Sequence, residues 1–248
     1  MIILSILFFI TAILYSSVGF GGGSTYLALL LIWDIPYYIF PVIALLCNII
    51  VVSGNSFNYI RAGNHNFKLI LPFLMGSVPL AFFGGTLKID KDIFEILLFF
   101  ILSIAGILLL INNKSYENNN LIIKKLNFLI SLAIGSVLGL ISGIVGIGGG
   151  IFLSPILFLL KAEKPKIIVT TASLFILVNS ISGVFGQLTK ENIITEISNY
   201  MPLFICVFLG GLLGNYLNLR IFTSRVLAVI TAILVMFVSI RMGIRIYL

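Results

Sequence analysis

Eight long stretches without one charged residue dominate this sequence, at 2–33, 35–60, 69–87, 96–113, 126–160, 167–189, 197–219 and 226–240. Runs of this kind have few ways to fold. In water they would expose more apolar surface than the remaining residues can cover. In a bilayer each becomes a spanning segment, because about 20 apolar residues cross the hydrocarbon as a helix. The composition agrees: 60% of the 248 residues are hydrophobic and 9% charged, where a soluble domain carries about a quarter charged. A cytosolic enzyme, a secreted disulfide scaffold and a disordered chain are all excluded. The fold class is an all-α polytopic membrane protein in contact with lipid.

Six of the runs fit one crossing each. The other two, 2–33 and 126–160, are too long: as continuous helices they would measure about 48 and 52 Å at roughly 1.5 Å per residue. Each carries a glycine cluster in mid-run, Gly19-Phe20-Gly21-Gly22-Gly23 and Gly146-Ile147-Gly148-Gly149-Gly150. Glycine at that density breaks a helix, so each long run reads as two pieces about a hinge. Gly84, Gly210, Gly211 and Gly214 read differently, as small residues that let helices pack closely.

The chain also repeats itself. Ser17-Val18-Gly19-Phe20-Gly21-Gly22-Gly23 aligns with Ile144-Val145-Gly146-Ile147-Gly148-Gly149-Gly150, Pro36 with Pro165, Ser53-Gly54 with Ser182-Gly183, Arg61 with Lys190, Leu71-Pro72 with Met201-Pro202, and Gly84 with Gly214. The division is a first membrane repeat at 1–112, a polar linker at 113–125 and a second membrane repeat at 126–248. The distribution of basic residues chooses between two topologies. If each long run crosses once, Lys and Arg divide eight to seven between the faces. If each long run dips in and returns at its glycines, the division is ten to five, with Arg61, Lys68, Lys114, Lys124, Lys125, Lys161, Lys164, Lys166, Arg220 and Arg225 on one face. The bias favours inverted repeats, each a glycine-broken hairpin plus three transmembrane helices, with the ten-charge face cytoplasmic. Inverted repeats with broken helices recur among transporters.

The net charge of +7 reflects bases at the ends of apolar runs. They read as membrane-surface anchors and not as a nucleic-acid footprint. The N-terminus, MIILSILFFI, lacks a basic leader region and reads as a retained membrane segment. Cys47 and Cys206 lie inside apolar stretches and read as small buried hydrophobes. No catalytic, metal-binding or cofactor-binding set emerges. The sole histidine, His65, falls in a loop, so Ser24 has no evident base for nucleophilic chemistry, and no phosphate-loop motif is present.

With VGFGGGSTYLALL in one half and VGIGGGIFLSPILFLL in the other, the chain resembles the sulfite exporter TauE/SafE family, also called the toluene sulfonate uptake permease family. That family's halves each open with a G-x-G-G-G segment followed by an apolar helix, often with a proline. The first half departs slightly, with Leu27-Ala28 where the second has Ser154-Pro155. The resemblance covers essentially the whole chain. It implies a multi-pass protein of the bacterial inner membrane that moves small sulfur-containing, sulfonate or carboxylate anions.

Anion transport needs negative charge stabilised in a low-dielectric place. Buried Lys or Arg is costly in lipid, and the long runs contain none. Helix N-termini and glycine turns supply unpaired backbone N–H groups instead. The helix restarts fall at Gly23-Ser24-Thr25 and Gly150-Ile151-Phe152, and the substrate-binding candidates around them are Gly21, Gly22, Gly23, Ser24 and Thr25, and Gly148, Gly149, Gly150 and Ile151. Among the polar side chains in the spans, Asn48, Ser173 and Asn179 are the added candidates for substrate contact. Arg61 and Lys190, at matched repeat positions, read as snorkelling anchors or as anion-attracting groups at two mouths. The carboxylates all sit at run boundaries, so no in-span proton relay is evident. The leading reading is a secondary transporter, an exporter of small anions whose partners are its substrate and lipid; an anion channel or accessory membrane subunit is the alternative.

Overall fold

Both long runs break where the glycines lie. The computed structural model describes residues 1–33, 35–111, 123–124, 126–190 and 193–218, and beyond them 233, 236, 239–240 and 243–244. Most of the polar linker, most of the run at 226–240, and the orientation-weighing bases Lys114, Lys125, Arg220, Arg225, Arg241 and Arg245 lie outside the described residues. The first long run gives α1 (Ile2–Val18) and α2 (Gly23–Ile32). A 3-10 turn at Tyr37–Ile39 leads into α3 (Phe40–Arg61), followed by α4 (Phe67–Thr86) and α5 (Lys91–Ile111). The second long run gives α6 (Phe128–Val145) and α7 (Gly150–Leu159), and α8 (Pro165–Gln187) follows. A short α9 (Ile193–Ile197) then precedes α10 (Met201–Asn218). The described residues include no strand.

Local chemistry fixes several of these ends. Asn66 caps α4 by accepting the Leu69 N–H at 3.2 Å, and Asn127 caps α6 by accepting the Leu129 N–H at 2.9 Å, each satisfying one orphan donor of a first turn. Pro165 opens α8 where the missing N–H costs nothing. Among the described residues, five helices are long and apolar enough to cross a bilayer: α3 with its entry turn, α4, α6, α8 and α10 with the preceding turn. Their outward faces carry large exposed apolar side chains, among them Phe57, Leu71, Leu129, Phe185 and Ile205. Only a lipid solvent makes that surface inexpensive.

The halves interlock instead of standing side by side. Helix α4 of the first half packs along α6 of the second, and α10 packs along α1. Glycines make both seams. A Cβ at Gly135, Gly139 or Gly143 would strike the carbonyls of Phe73, Ser77 and Ala81 in turn, and one at Gly210 or Gly214 would strike those of Phe9 and Ile13. The numbers rise together along each seam, so α4 runs parallel to α6 and α10 parallel to α1. Gly84 and Gly214 thus serve close packing, as their sequence setting suggests.

At the centre α3 lies against α8. Ser56 meets Ser173 at 3.0 Å, while Leu45 lies beside Gly183. The numbers run in opposite senses, so these two helices are antiparallel. Helix α2 starts with Gly23 beside Asn48 in the middle of α3 and returns toward the start of α3. Helix α7 starts with Gly150 beside Ile176 in the middle of α8 and returns toward the start of α8. Each hairpin is lopsided, a 17- or 18-residue helix going in and a 10-residue helix coming back.

Candidate functional site

The two glycine clusters are built alike. Helix α1 ends at Gly19 with φ +86, and the Phe20 N–H reaches back to the Tyr15 carbonyl at 3.0 Å. Helix α6 ends at Gly146 with φ +89, whose N–H bonds the Ser142 carbonyl at 2.8 Å. The returning helices restart from a second left-handed glycine, Gly22 (φ +83) for α2 and Gly149 (φ +74) for α7. A side chain would strain the backbone at all four.

The restarts leave donors free. The N–H groups of Thr25 and Tyr26 bond the Gly22 carbonyl, and those of Phe152 and Leu153 bond the Gly149 carbonyl. The N–H groups of Gly21, Gly22, Gly23 and Ser24, and of Ile147, Gly148, Gly149, Gly150 and Ile151, donate to no carbonyl among the described residues. Neither restart has a side-chain cap. Two helix N-termini, each with its partial positive charge, are therefore left uncapped at the centre of the protein.

Asn48 brings the two clusters together. Its side chain is fully buried, and Nδ2 donates to the Ile147 carbonyl at 3.1 Å. A Cβ at Gly21 would fall on its carboxamide; one at Gly23 would come within 2.8 Å of Nδ2 and 2.9 Å of the Ile147 carbonyl; one at Gly148 would come within 2.9 Å of Nδ2 and 3.1 Å of Ser180 Oγ. The carboxamide thus touches both tips at once. Its Oδ1 has no hydrogen-bond partner, and neither has Ser180 Oγ. In the repeat alignment Asn48 corresponds to Leu177, so this amide serves both clusters from one half alone.

The other sequence candidates spread around this point. Gly22 packs against Tyr15 and Tyr26, Gly149 against Phe175, and Gly150 against Ile176 and the Ala172 carbonyl. Ser24 and Thr25 are buried and held by the Tyr15 hydroxyl, at 3.3 and 2.7 Å. Ile151 is buried. Ser173 faces Ser56. Asn179 donates to its own helix at the Phe175 carbonyl, 2.8 Å away, and its Oδ1 is unpartnered. Tyr15 escaped the sequence reading. It reads as one more aromatic in an apolar helix, and only the fold-back of α2 gives its hydroxyl a role. Arg61 ends α3, and His65 in the following loop lies beside Phe67 at the start of α4, with ring centroids 4.8 Å apart. Glu95 is the one buried charged side chain among the described residues, and it lies on α5 with the Lys91 ammonium 3.9 Å away.

Comparison with known proteins bears on what this centre serves. The model of the family described as Sulfite exporter TauE/SafE matches residues 4–242. The chain belongs to the TauE/SafE family. It is similar to "Probable membrane transporter protein y4hK" of Sinorhizobium fredii, 26% identical over 94% of each chain. It is also similar to "Probable membrane transporter protein YunE" of Bacillus subtilis, 22% identical over 95% of this chain and 94% of the relative. No solved structure matches it. Like its TauE/SafE relatives, the protein is a membrane-embedded transporter and not an enzyme.

Proposed function

We propose that this TauE/SafE protein is a secondary transporter that exports a small anion, sulfur-containing in the manner of sulfite or an organosulfonate, across the bacterial inner membrane. The anion binds between the two glycine tips. The substrate class follows the family description. The observation that carries the site is the set of uncommitted N–H groups on two restarting helices that meet at Asn48. Such donors stabilise an oxyanion without a buried cation, and Glu95 on α5 is the one buried charged side chain among the described residues. The antiparallel arrangement of α3 and α8 supports reading the halves, 1–112 and 126–248, as inverted repeats. In that reading the face at the end of α3 and the start of α8 is cytoplasmic and the tips exchange access to the two sides.

The test is sulfite and sulfonate flux in proteoliposomes under an imposed pH gradient. Wild type is expected to show saturable flux, and Gly22→Leu and Gly149→Leu are expected to abolish it while still reaching the membrane. Normal transport by both variants removes the proposed site. Flux that does not saturate with substrate replaces the carrier by a channel.

A further inference from the structure

A second feature lies apart from the tips, on the face where α4 and α8 end and α3 begins. A cavity of about 320 Å³ opens there between Tyr37, Tyr38, Pro41, Lys88, Ile144 and Lys190. Its rim brings together two lysines from different halves of the chain. Among the described residues neither has a carboxylate within ion-pair distance. The nearby Glu196 is occupied, accepting the Tyr38 hydroxyl at 2.7 Å. Lys190 Nζ donates to Gln187 Oε1 at 2.8 Å, and Gln187 Nε2 in turn donates to the Gly143 carbonyl at 2.8 Å. The ammonium is thus held in place from the end of α6, the helix that carries the second tip. The inner wall leads the same way: Ile144 lies two residues before Gly146, and a Cβ at Gly146 would strike the Pro41 backbone.

We propose that this cavity is an oxyanion-binding antechamber, in which Lys88 and Lys190 hold a tetrahedral or pyramidal oxyanion beside the second glycine tip. Two converging cations that repel each other bind a shared anion more strongly than either does alone, and the volume leaves room for ordered water with it. Burial, and then the charge of Lys88, lower the Lys190 ammonium from its ordinary 10.5 to about 8, so an anion bound beside it would favour its charged form. Among the described residues, the groups that face it are Lys88 after α4, Gln187 on α8 and the phenols of Tyr37 and Tyr38 before α3, with the Glu196 carboxylate behind Tyr38 and accepting its hydroxyl. A dissolved oxyanion and a phospholipid headgroup share this chemistry, and the antechamber role commits to the dissolved ion. That role rests on the anion-transport reading; the binding itself does not.

The experiment is lysine acylation at pH 8 on the full chain in phosphatidylcholine nanodiscs, read by peptide mass spectrometry. Sulfate is the probe and chloride at equal ionic strength the control. Sulfate is expected to slow acylation of Lys190 and Lys88 about threefold or more while leaving Lys68 and Lys91 unchanged, and Lys88→Gln is expected to remove the protection at Lys190. Equal rates in sulfate and chloride overturn the proposal, as does protection that appears only when phosphatidylglycerol is added. A parallel flux assay separates the two readings. Lys88→Gln and Lys190→Gln are expected to raise the KM for the transported anion several-fold, with little change in maximal rate. Protected lysines in a protein that carries no anion would sink the transport reading and leave the site standing; saturable transport with unprotected lysines does the reverse.

Discussion

Gly148→Ala is the sharpest perturbation of the proposed cradle, because the fold supplies its control. Gly148 has φ +82, and an added Cβ would lie 2.9 Å from Asn48 Nδ2, 2.9 Å from Ile176 Cγ2 and 3.1 Å from Ser180 Oγ. Gly63, in the loop after α3, has φ +73 and nothing within 4 Å of the same atom. Both alanine variants force a side chain into the left-handed region, at about 1–2 kcal/mol. Only Gly148→Ala also overfills a packed site, adding about 1–3 kcal/mol. Gly63→Ala is therefore expected to lower thermal stability slightly and to transport normally per molecule. Gly148→Ala is expected to lose more stability, and in addition to lose anion affinity. If displacing Asn48 and the tip removes one charge-assisted N–H contact, worth about 1.5–3 kcal/mol, affinity falls about 10- to 150-fold. The assay is the KM and maximal rate of sulfite flux in proteoliposomes at matched protein content. A Gly148→Ala protein that folds and transports with the KM of Gly63→Ala refutes the cradle.

Four further outcomes follow from the same contacts. Asn48→Leu copies the residue of the other half and strands the Ile147 carbonyl in a buried place, at about 1–3 kcal/mol; flux is expected to fall at least tenfold while the protein remains in the membrane fraction. Tyr15→Phe removes the hydroxyl shared by Ser24 and Thr25; it is expected to cost about 1 kcal/mol of stability, measured by thermal unfolding, and to raise the KM less than Asn48→Leu. Gly139→Leu, whose side chain would run into the Ser77 backbone on the α4–α6 seam, is expected to remove folded protein from the membrane altogether, seen by size-exclusion chromatography. The depressed Lys190 pKa makes the unfolded chain hold more protons than the folded one between about 8 and 10.5; stability is therefore expected to rise with pH across that window, and Lys190→Met to flatten the rise in a pH series of melting curves.

The glycine breaks were legible because length and composition conflict within 2–33 and 126–160: no straight helix of that size fits a bilayer. The restarts at Gly23 and Gly150 were legible from where the glycine clusters end. The importance of Asn48 relative to Ser173 and Asn179 was not. All three are polar residues in apolar helices, and periodicity ranks them equally. What distinguishes Asn48 is that the glycines facing it come from both halves, a tertiary fact. Its repeat partner is Leu177, so comparing the halves gives it no weight. The pairing of α1 with α10 and of α4 with α6 was hidden as well, since Gly135, Gly139 and Gly143 state only that something comes close, not which helix. Charge counting likewise saw Lys88 and Lys190 as two bases on one face, and it is the interlocking of the halves that brings them to one cavity.

The central claim is that backbone N–H groups of the two tips hold the anion. Amide resonances of isotope-labelled glycine, followed while sulfite is titrated into the protein in nanodiscs, test it most directly. Downfield shifts confined to Gly21, Gly22, Gly23, Gly148, Gly149 and Gly150, saturating together and absent in Asn48→Leu, are the predicted result. Saturable sulfite binding that leaves those six amides unmoved would contradict the account.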